Sequence, residues 1–208
     1  MLKVGLTGGM SSGKSVVGEM FVMLGAHLIQ SDIVAHQLMQ PGEPVYQRVV
    51  DRFGASVLNP DKSLNRARLA ELAFGQPRRI EELNNIVHPA VIERENRWMD
   101  DIAKTYPHAI AIVEAALILE AGGERRFDRL VVVTCRPEQR AERWAKKTGV
   151  DLETAKREVI RRMAAQLPDE QKIEVADYVI DNSGSLVATR EKVREVYEKL
   201  HDEEQSRN

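Results

Sequence analysis

A glycine-rich octapeptide near the start of the chain limits the possible folds more than any other feature. Its residues, which fit the pattern G-x-x-x-x-G-K-S, are Gly8, Gly9, Met10, Ser11, Ser12, Gly13, Lys14 and Ser15. An apolar run at 2–6 precedes it and predicts a buried strand, and apolar residues at helical spacing follow it over 16–24. A strand, this loop and a helix, in that order, predict a site for the phosphates of a nucleoside triphosphate.

The residue types of this phosphate loop (the P-loop, residues 8–15) suit that chemistry. Glycine at 8 and 13 permits backbone conformations and close approaches that a Cβ would prevent. The backbone N–H groups can then form an anion-binding nest at the start of a helix. Lys14 can reach the β- and γ-phosphates, and the Ser15 hydroxyl can ligate Mg²⁺. The residues predicted to contact ATP here are Ser11, Ser12, Gly13, Lys14, Ser15 and Val16.

Composition excludes several other classes of protein. The 208 residues can bury a sizeable core, and a formal net charge of −2 gives no global reason to expect nucleic-acid binding. The one cysteine, Cys135, follows an apolar run and is predicted to be a buried thiol. We expect no secretory signal, because the N-terminus is occupied by the strand and the P-loop, and no apolar stretch is long enough to span a bilayer. A cytoplasmic protein without a membrane partner is expected.

Two acidic residues stand at the ends of predicted strands. An apolar segment at 26–29 precedes Asp32, and another at 109–113 ends in Glu114. Open α/β sheets bind ligands beyond the carboxyl ends of their strands, so Asp32 is a candidate to hold an acceptor hydroxyl and Glu114 to support Mg²⁺. The alternatives are an N-cap at Asp32, and an N-cap or an exposed loop acid at Glu114.

Residues 41–107 differ from the flanking segments in showing helical periodicity and no convincing strand. The apolar spacing predicts four helices, the third ended by His88 and Pro89 and the fourth running from 91 to 102. A helical block between the strands of a nucleotide-binding core is where a domain for the second substrate would be inserted. His88 alone is more typical of a local packing or hydrogen-bonding residue than of a catalytic one.

The last third of the sequence supplies two more strands, at 130–134 and 178–180, and an arginine-rich helical pair between them. The arginines are Arg136, Arg140, Arg143, Arg157, Arg161 and Arg162. Interleaved glutamates make each one typical of a solvated helix surface. A helical hairpin at this point also matches the lid of small-molecule kinases, which closes over phosphates and excludes water. A closing helix follows, and the polar tail from His201 is predicted to fray.

These elements predict an α/β fold of the P-loop NTPase class, a three-layer α/β/α arrangement with a five-stranded parallel sheet. Residues 1–40 and 108–208 would form the nucleotide-binding core. Residues 41–107 would form the helical acceptor-binding region, and residues 138–172 the lid within the core segment.

The ordered set of motifs resembles the dephospho-CoA kinase family along essentially the whole chain. The segments that carry the resemblance are residues 4–9, Gly13-Lys14-Ser15, Ser31-Asp32, Leu83-Asn84, His88-Pro89, residues 117–120, Arg162 with Gln166, Pro168 and Lys172, and residues 176–184. The P-loop alone occurs in many families, whereas the ordered set is much more specific. The resemblance implies phosphorylation of the ribose 3′-hydroxyl of dephospho-CoA by ATP with Mg²⁺, the last step of coenzyme A biosynthesis. The enzyme would be a monomer or small homo-oligomer with no nucleic-acid partner.

The resemblance also implies roles for individual residues. Asp32 matches the family's catalytic aspartate, which would accept the proton of the 3′-hydroxyl and act with Lys14 and Arg162. Arg143 and Arg162 match lid arginines near the phosphates and the adenine, and Asn182 matches a residue near the adenine. The residues expected to contact the acceptor are Asp32, His88 and Leu117.

The chain departs from the family pattern at a few positions. Met10-Ser11 stands where Ile-Gly is usual, so the loop geometry or the phosphate affinity is expected to differ. Val16 replaces a common Thr, Gln30 replaces a second acid, and Ala116 replaces a proline. None of these changes removes a group that the chemistry requires.

Two other functions stay open from the residues alone. The first is another small-molecule kinase on the same fold, because acceptor identity resides in the helical block. The second is a nucleotide-dependent switch, although a GTPase would carry Asn-Lys-x-Asp and no Asn-Lys pair occurs in the chain. A switch would hydrolyse ATP without an acceptor, whereas a kinase with a closing lid should do so slowly.

Overall fold

The predicted strands assemble into one sheet in a computed structural model, which describes residues 1–74 and 77–207. The strands are β1 (Leu2–Gly8), β2 (His27–Gln30), β3 (Ile110–Glu114), β4 (Arg129–Thr134) and β5 (Tyr178–Asp181). Their order is β2-β3-β1-β4-β5, with β1 parallel to β3 and β4, and β4 parallel to β5. The prediction of a five-stranded parallel sheet in a three-layer α/β fold is confirmed.

Helices connect the strands, as parallel pairing requires. They are α1 (Lys14–Met23), α2 (Ser31–Leu38), α3 (Pro44–Phe53), α4 (Arg66–Phe74), α5 (Pro77–Thr105), α6 (Pro137–Thr148), α7 (Leu152–Met163), α8 (Asp169–Glu174) and α9 (Leu186–Gln205). Short 3₁₀ turns lie at Ala55–Val57 and Glu124–Arg126. None of the helices described is both long enough and apolar enough to cross a membrane.

The sheet is buried on both faces, which explains the almost continuous apolar runs of β1, β3 and β4. Along β4, Val131 and Val133 belong to the main core, which α1 and α9 complete with Phe21, Val193 and other apolar side chains. Leu130 and Val132 point the other way, into a smaller cluster around Ile118. Because the strands run parallel, their carboxyl ends lie together at one edge of the sheet.

Residue contacts divide the chain into two compact units. Unit 1 comprises Met1–Ile29 and Asp101–Asn208, and unit 2 comprises Gln30–Asp100. Unit 1 contains the P-loop and the arginine-rich helices α6 and α7. Unit 2 contains α2, α3, α4 and most of α5. The boundaries of the helical region that the sequence predicts, residues 41 and 107, stay a prediction. Unit 2 begins at Gln30 and therefore also includes α2.

One predicted helix boundary is wrong. His88 and Pro89 do not end a helix, because α5 continues through Pro89 to Thr105. Proline at this position lacks an N–H to donate to the carbonyl of Asn85. Val87 and Val91, on either side of it, are both buried. Apolar packing on both sides of the proline therefore outweighs the loss of one backbone hydrogen bond.

The predicted fraying from His201 is also wrong, since α9 stays helical to Gln205. Glu204 is buried and accepts a hydrogen bond from the amino group of Met1, with an N–O distance of 3.1 Å. His108 Nδ1 lies 3.2 Å from the same carboxylate. Because these groups are far apart in sequence, the polar composition of the tail did not reveal them.

Candidate active site

The P-loop links the end of β1 to the first turn of α1, as predicted. Gly13 has a φ of 97°, and a Cβ there would lie 2.1 Å from Nδ2 of Asn182. Gly8 has a φ of 149°, and a Cβ there would lie 2.1 Å from the carbonyl oxygen of Val133. Glycine is therefore required at both positions by backbone conformation and by close approach.

Ser11 adopts a left-handed backbone conformation inside this loop, with a φ of 56°. Among the residues described, Lys62 is the one other non-glycine residue with a positive φ. Such a conformation brings the Cβ of an L residue close to its own backbone. The departure at Ser11 therefore lies where glycine would be favoured physically.

Arg140 on α6 contacts the P-loop, although the sequence pattern groups it with the arginines of a solvated helix surface. Its side chain is 1% exposed, and Nη1 donates to the carbonyl of Met10 at 2.9 Å. Its guanidinium also forms an ion pair with Asp169 on α8. The N–H of Met10 donates to Oε1 of Gln166 at 3.1 Å. The solvated-surface interpretation of Arg140 is wrong, and only knowledge of its distant partners could have corrected it.

Arg143 and Asn182, both predicted to contact ATP, meet at the carbonyl of Ser12. Nη1 of Arg143 donates to this oxygen at 3.1 Å, and Nδ2 of Asn182 donates to it at 2.8 Å. Thr189 Oγ1 donates to the side-chain oxygen of Asn182 at 2.9 Å. Asn182 is buried, so its side chain fixes the conformation of the loop. Its contact with adenine stays a prediction.

The cysteine beside the loop is buried, as the sequence predicted. Its Sγ lies 3.7 Å from the carbonyl oxygen of Ser11. Burial raises the pKa of the Cys135 thiol. The thiol therefore packs behind the P-loop in its neutral form.

Lys14, Ser15 and Glu114 bring the predicted phosphate and metal groups together. Nζ of Lys14 donates to the carbonyls of Gly8 and Gly9 at 2.9 and 3.1 Å, so the ammonium lies over the loop. Ser15 Oγ donates to Oε1 of Glu114 at 2.9 Å. Glu114 is buried as the last residue of β3, which rules out the exposed-loop and N-cap alternatives.

The donor set at Ser15 and Glu114 fits Mg²⁺. Hydroxyl and carboxylate oxygens are hard ligands, and Mg²⁺ in nucleotide sites is commonly held by one or two protein groups together with phosphate oxygens. Within residues 1–74 and 77–207, no cluster of three or more His, Cys, Asp or Glu side chains forms a separate metal site. The donor chemistry of this pair suits a nucleotide-bound cation, and its role in holding Mg²⁺ stays a prediction.

Arg162 makes its described contacts within the hairpin of α6 and α7. Its Nε donates to Oε1 of Glu158 at 2.5 Å, and its guanidinium carbon lies 4.8 Å from the ring centre of Trp144. Hydrogen bonds from Arg161 and Arg162 lower the pKa of Glu158 to about 2. An open cavity of about 400 Å³ lies between the two helices, lined by Trp144 and Arg157 among others. Among the described contacts, none joins Arg162 to the P-loop, so its catalytic role stays a prediction.

In unit 2, Asp32 lies exposed in the first turn of α2. The helix begins at Ser31 with Gln30 in the N-cap position, so the N-cap interpretation of Asp32 is wrong. The Ser31 hydroxyl donates to Oε1 of Glu95, a carboxylate only 1% exposed. This hydrogen bond ties the start of α2 to α5 and so positions Asp32. The sequence offered no local signal for Glu95.

His88 lies on α5, the helix that also carries Glu95. Burial lowers the pKa of His88, and the negative charge of Glu95 partly opposes that shift. The neutral imidazole is therefore favoured, which suits a hydrogen-bonding role. Whether the partner is a substrate stays a prediction.

Leu117, the last predicted acceptor contact, lies in unit 1 just after β3. Its side chain is 39% exposed, whereas the next residue, Ile118, is buried. Glu120 anchors the segment at residues 117–120. It accepts a hydrogen bond from the N–H of Leu167 at 2.9 Å and forms an ion pair with the buried Lys172 at 2.8 Å. The exposed leucine is thus held on an ordered segment. Its role in binding the acceptor stays a prediction.

Comparisons with known proteins agree with the motif pattern. The model of one protein family, dephospho-CoA kinase, matches residues 2–188. The chain is 41% identical over 193 residues to a dephospho-CoA kinase of Syntrophotalea carbinolica, covering 93% of this chain and 89% of that protein. It is 36% identical over 200 residues to one of Aquifex aeolicus, covering 96% and 98%.

Solved structures show the same fold. A crystal structure of a Thermus thermophilus protein aligns with a TM-score of 0.77 at 27% identity, covering 95% of this chain and 96% of that one. A dephospho-CoA kinase from Campylobacter jejuni aligns with a TM-score of 0.61 at 22% identity, covering 95% and 96%. At that identity, the second likeness supports the fold alone.

Proposed function

The chain belongs to the dephospho-CoA kinase family, and from that premise we propose that it transfers the γ-phosphoryl group of ATP to the ribose 3′-hydroxyl of dephospho-CoA. The products would be CoA and ADP. The observation that carries the proposal is the P-loop with Lys14 lying over it and Ser15 hydrogen-bonded to Glu114, in a chain that matches these relatives over nearly its whole length. The proposal extends to a cytoplasmic enzyme, a monomer or small homo-oligomer, that acts on small molecules.

The P-loop would bind the donor. Its backbone N–H groups and Lys14 would hold the phosphates of ATP, and Ser15 and Glu114 would hold Mg²⁺. When bound, Mg²⁺ neutralises phosphate charge and orients the transferred group. Arg140, Gln166 and Asn182 would keep the loop in its binding conformation, because each makes a hydrogen bond to a loop backbone group.

Asp32 would hold the acceptor hydroxyl and accept its proton. A carboxylate is a weak base but a good hydrogen-bond acceptor for an attacking hydroxyl. Phosphoryl transfer depends mainly on positioning and charge stabilisation, so a weakly basic carboxylate that orients the hydroxyl is sufficient for this step. Arg143 and Arg162 would add positive charge as the α6–α7 hairpin closes and excludes water. His88 and Leu117 would contribute further contacts to the acceptor.

The first test is the release of ADP from MgATP with and without dephospho-CoA, with the product identified by mass. One CoA formed per ADP, and little ADP without acceptor, would support the proposal. If dephospho-CoA has no effect while a different hydroxyl compound drives turnover, the acceptor assignment fails but the kinase fold stands. Equal ATP consumption with and without acceptor would instead indicate a switch.

The second test is the Asp32→Asn variant. We expect kcat to fall by about 10²- to 10⁴-fold, the range typical of losing a general base, while the KM for ATP changes little. Asp51→Asn is the matched control, because Asp51 lies exposed on α3 and accepts a hydrogen bond only from nearby Gln47 among the contacts described. Wild-type turnover in Asp32→Asn would remove Asp32 from the mechanism.

A further inference from the structure

A cavity of about 170 Å³ lies in unit 2 against the C-terminal half of α2. Its lining residues are His36, Met39, Gln40, Ser63, Leu64, Arg66 and Leu69. Three of these side chains, Met39, Leu64 and Leu69, are apolar, and the other four are polar. None of the individual site residues predicted from the sequence is among them, although four of them fall within the predicted acceptor-binding region, residues 41–107.

The polar part of the wall carries positive charge. The guanidinium of Arg66 contacts Nδ1 of His36, and Nε2 of Gln40 lies 3.3 Å from Nε2 of the same ring. No lining residue is acidic. By contrast Arg68, two positions further along α4, pairs with Glu71 at 2.8 Å. A concave wall with arginine and no carboxylate favours an anionic ligand.

Local hydrogen bonds fix the position of Arg66. It is the first residue of α4, and Oδ1 of Asn65 accepts a hydrogen bond from the N–H of Arg68 at 2.9 Å. The preceding loop is closed by hydrogen bonds from Ser63 to Asp61, with an N–O distance of 2.9 Å. The start of α4 is thus capped and defined, which fixes the backbone from which Arg66 extends into the cavity wall.

The cavity continues the helix face that carries Asp32. Asp32 and His36 are four residues apart on α2, so their side chains project from the same face, about 6 Å apart along the axis. Both side chains are exposed. A ligand whose hydroxyl lies at Asp32 could therefore extend along this face to His36 and Arg66.

We propose that this cavity is the subsite for the diphosphate of the acceptor and the start of its pantetheine arm. The inference rests on the proposed function, because it takes Asp32 as the residue that holds the 3′-hydroxyl. In dephospho-CoA the diphosphate is attached at the 5′ position of the same ribose, a few ångströms from the 3′-hydroxyl. Arg66 binds the diphosphate in a bidentate manner, with the Gln40 amide as a further donor. Met39, Leu64 and Leu69 pack against the arm.

The experiment compares Arg66→Gln with the wild type in steady-state kinetics and in calorimetric binding of dephospho-CoA. We expect the KM and the Kd for dephospho-CoA to rise at least about tenfold, the usual scale for losing a charge-assisted hydrogen bond. The KM for ATP should stay within about twofold, because the P-loop is unaltered. Added salt should raise the KM for dephospho-CoA more in the wild type than in Arg66→Gln, because it screens the arginine.

Arg68→Gln is the matched control, since it removes the same charge from the same helix outside the cavity. Its KM for dephospho-CoA should equal that of the wild type. Thermal unfolding of both variants identifies any loss of fold, and Arg66→Lys, which keeps the charge, should recover part of the affinity. If Arg66→Gln leaves both constants unchanged in an active enzyme, or if Arg68→Gln raises them equally, the subsite is wrong.

Calorimetry separates this inference from the proposed function. A wild type that binds dephospho-CoA through Arg66 without phosphorylating it would overturn the proposed reaction and keep the subsite. A wild type that phosphorylates dephospho-CoA independently of Arg66 would overturn the subsite and keep the reaction. A wild type that neither binds nor phosphorylates it would overturn both.

Discussion

Ser11 combines two requirements that conflict at the level of a single residue. The P-loop needs a left-handed backbone at this position, with a φ of 56°, but a serine side chain disfavours it. An L residue in this region costs about 1–2 kcal/mol relative to its ordinary conformations. The hydrogen bonds that Arg140 and Arg143 make to neighbouring carbonyls hold the loop in place despite that cost.

Replacing Ser11 with glycine should therefore stabilise the protein. We expect Ser11→Gly to raise the free energy of unfolding by about 0.5–1 kcal/mol, measured by urea denaturation, after allowing for the greater flexibility of glycine in the unfolded chain. Lys62→Gly, at the other left-handed position, should give a similar gain. Only Ser11→Gly should alter the KM for ATP. A lower free energy of unfolding in Ser11→Gly would contradict the strain argument.

The candidate site could be predicted from sequence only where its chemistry is local. Spacing within one loop was enough to place Lys14 and Ser15, because a short motif fixes its own geometry. The role of Arg140 in supporting the P-loop is not visible in the sequence, because its partners Met10 and Asp169 lie 130 and 29 residues away. Asn182 was associated with the site through the resemblance, but the sequence does not reveal that its amide bonds to the loop.

At the scale of elements, α5 shows that tertiary packing can outweigh a local breaker. The sequence around Pro89 predicts a break, yet the helix runs from Pro77 to Thr105. Pro89 itself is exposed, so its ring makes little contribution to the core. Its effect is confined to the missing N–H and the fixed φ, next to His88.

Pro89→Ala should then stabilise α5 and disturb the residues beside it. We expect the free energy of unfolding to rise by about 1–3 kcal/mol, because alanine restores a donor for the carbonyl of Asn85 and favours helix. The KM for dephospho-CoA should rise and the KM for ATP should not, because the substitution changes the backbone next to His88, a predicted acceptor contact. Pro137→Ala is the control, since proline at the first position of α6 removes no intrahelical hydrogen bond. A destabilised Pro89→Ala would show that the proline suits its surroundings.

Strands were easier to predict than helix boundaries. The strands β1, β3 and β4 are buried apolar runs, so their lengths follow from composition alone. The start of α2 was missed because it depends on Ser31 bonding to Glu95, which is 64 residues away. The exact ends of helices depend on such long-range hydrogen-bond partners, which cannot be identified from the local sequence.

At the scale of the whole molecule, a polar network joins the last strand to the closing helix. The Tyr178 hydroxyl on β5 donates to Glu203 on α9, and Nε of Arg129 on β4 lies 2.6 Å from the same carboxylate. Arg207 pairs with Asp128 at 2.8 Å near the start of β4. The end of α9, predicted to fray, is thus held to the rest of unit 1 by these contacts.

This network should make stability depend on alkaline pH. Burial, the hydrogen bond to Glu203 and the negative charge of Glu203 raise the pKa of Tyr178 from its ordinary value near 10 to about 12. The neutral phenol is therefore favoured in the fold, and its contribution is fully present below pH 10. It is lost as the pH rises from about 10 to about 12, because the unfolded chain loses this proton first.

Tyr178→Phe isolates that contribution, because phenylalanine has no proton to lose. At pH 8 we expect the variant to be less stable by about 0.5–1.5 kcal/mol, the net value of one hydrogen bond. Between pH 10 and 12 the two urea-denaturation curves should converge as the wild type alone loses stability. Glu198→Gln, which changes an exposed charge on α9, should follow the wild type throughout. If the difference in free energy of unfolding between the wild type and Tyr178→Phe stays constant or widens above pH 10, the proton of Tyr178 does not link the sheet to α9.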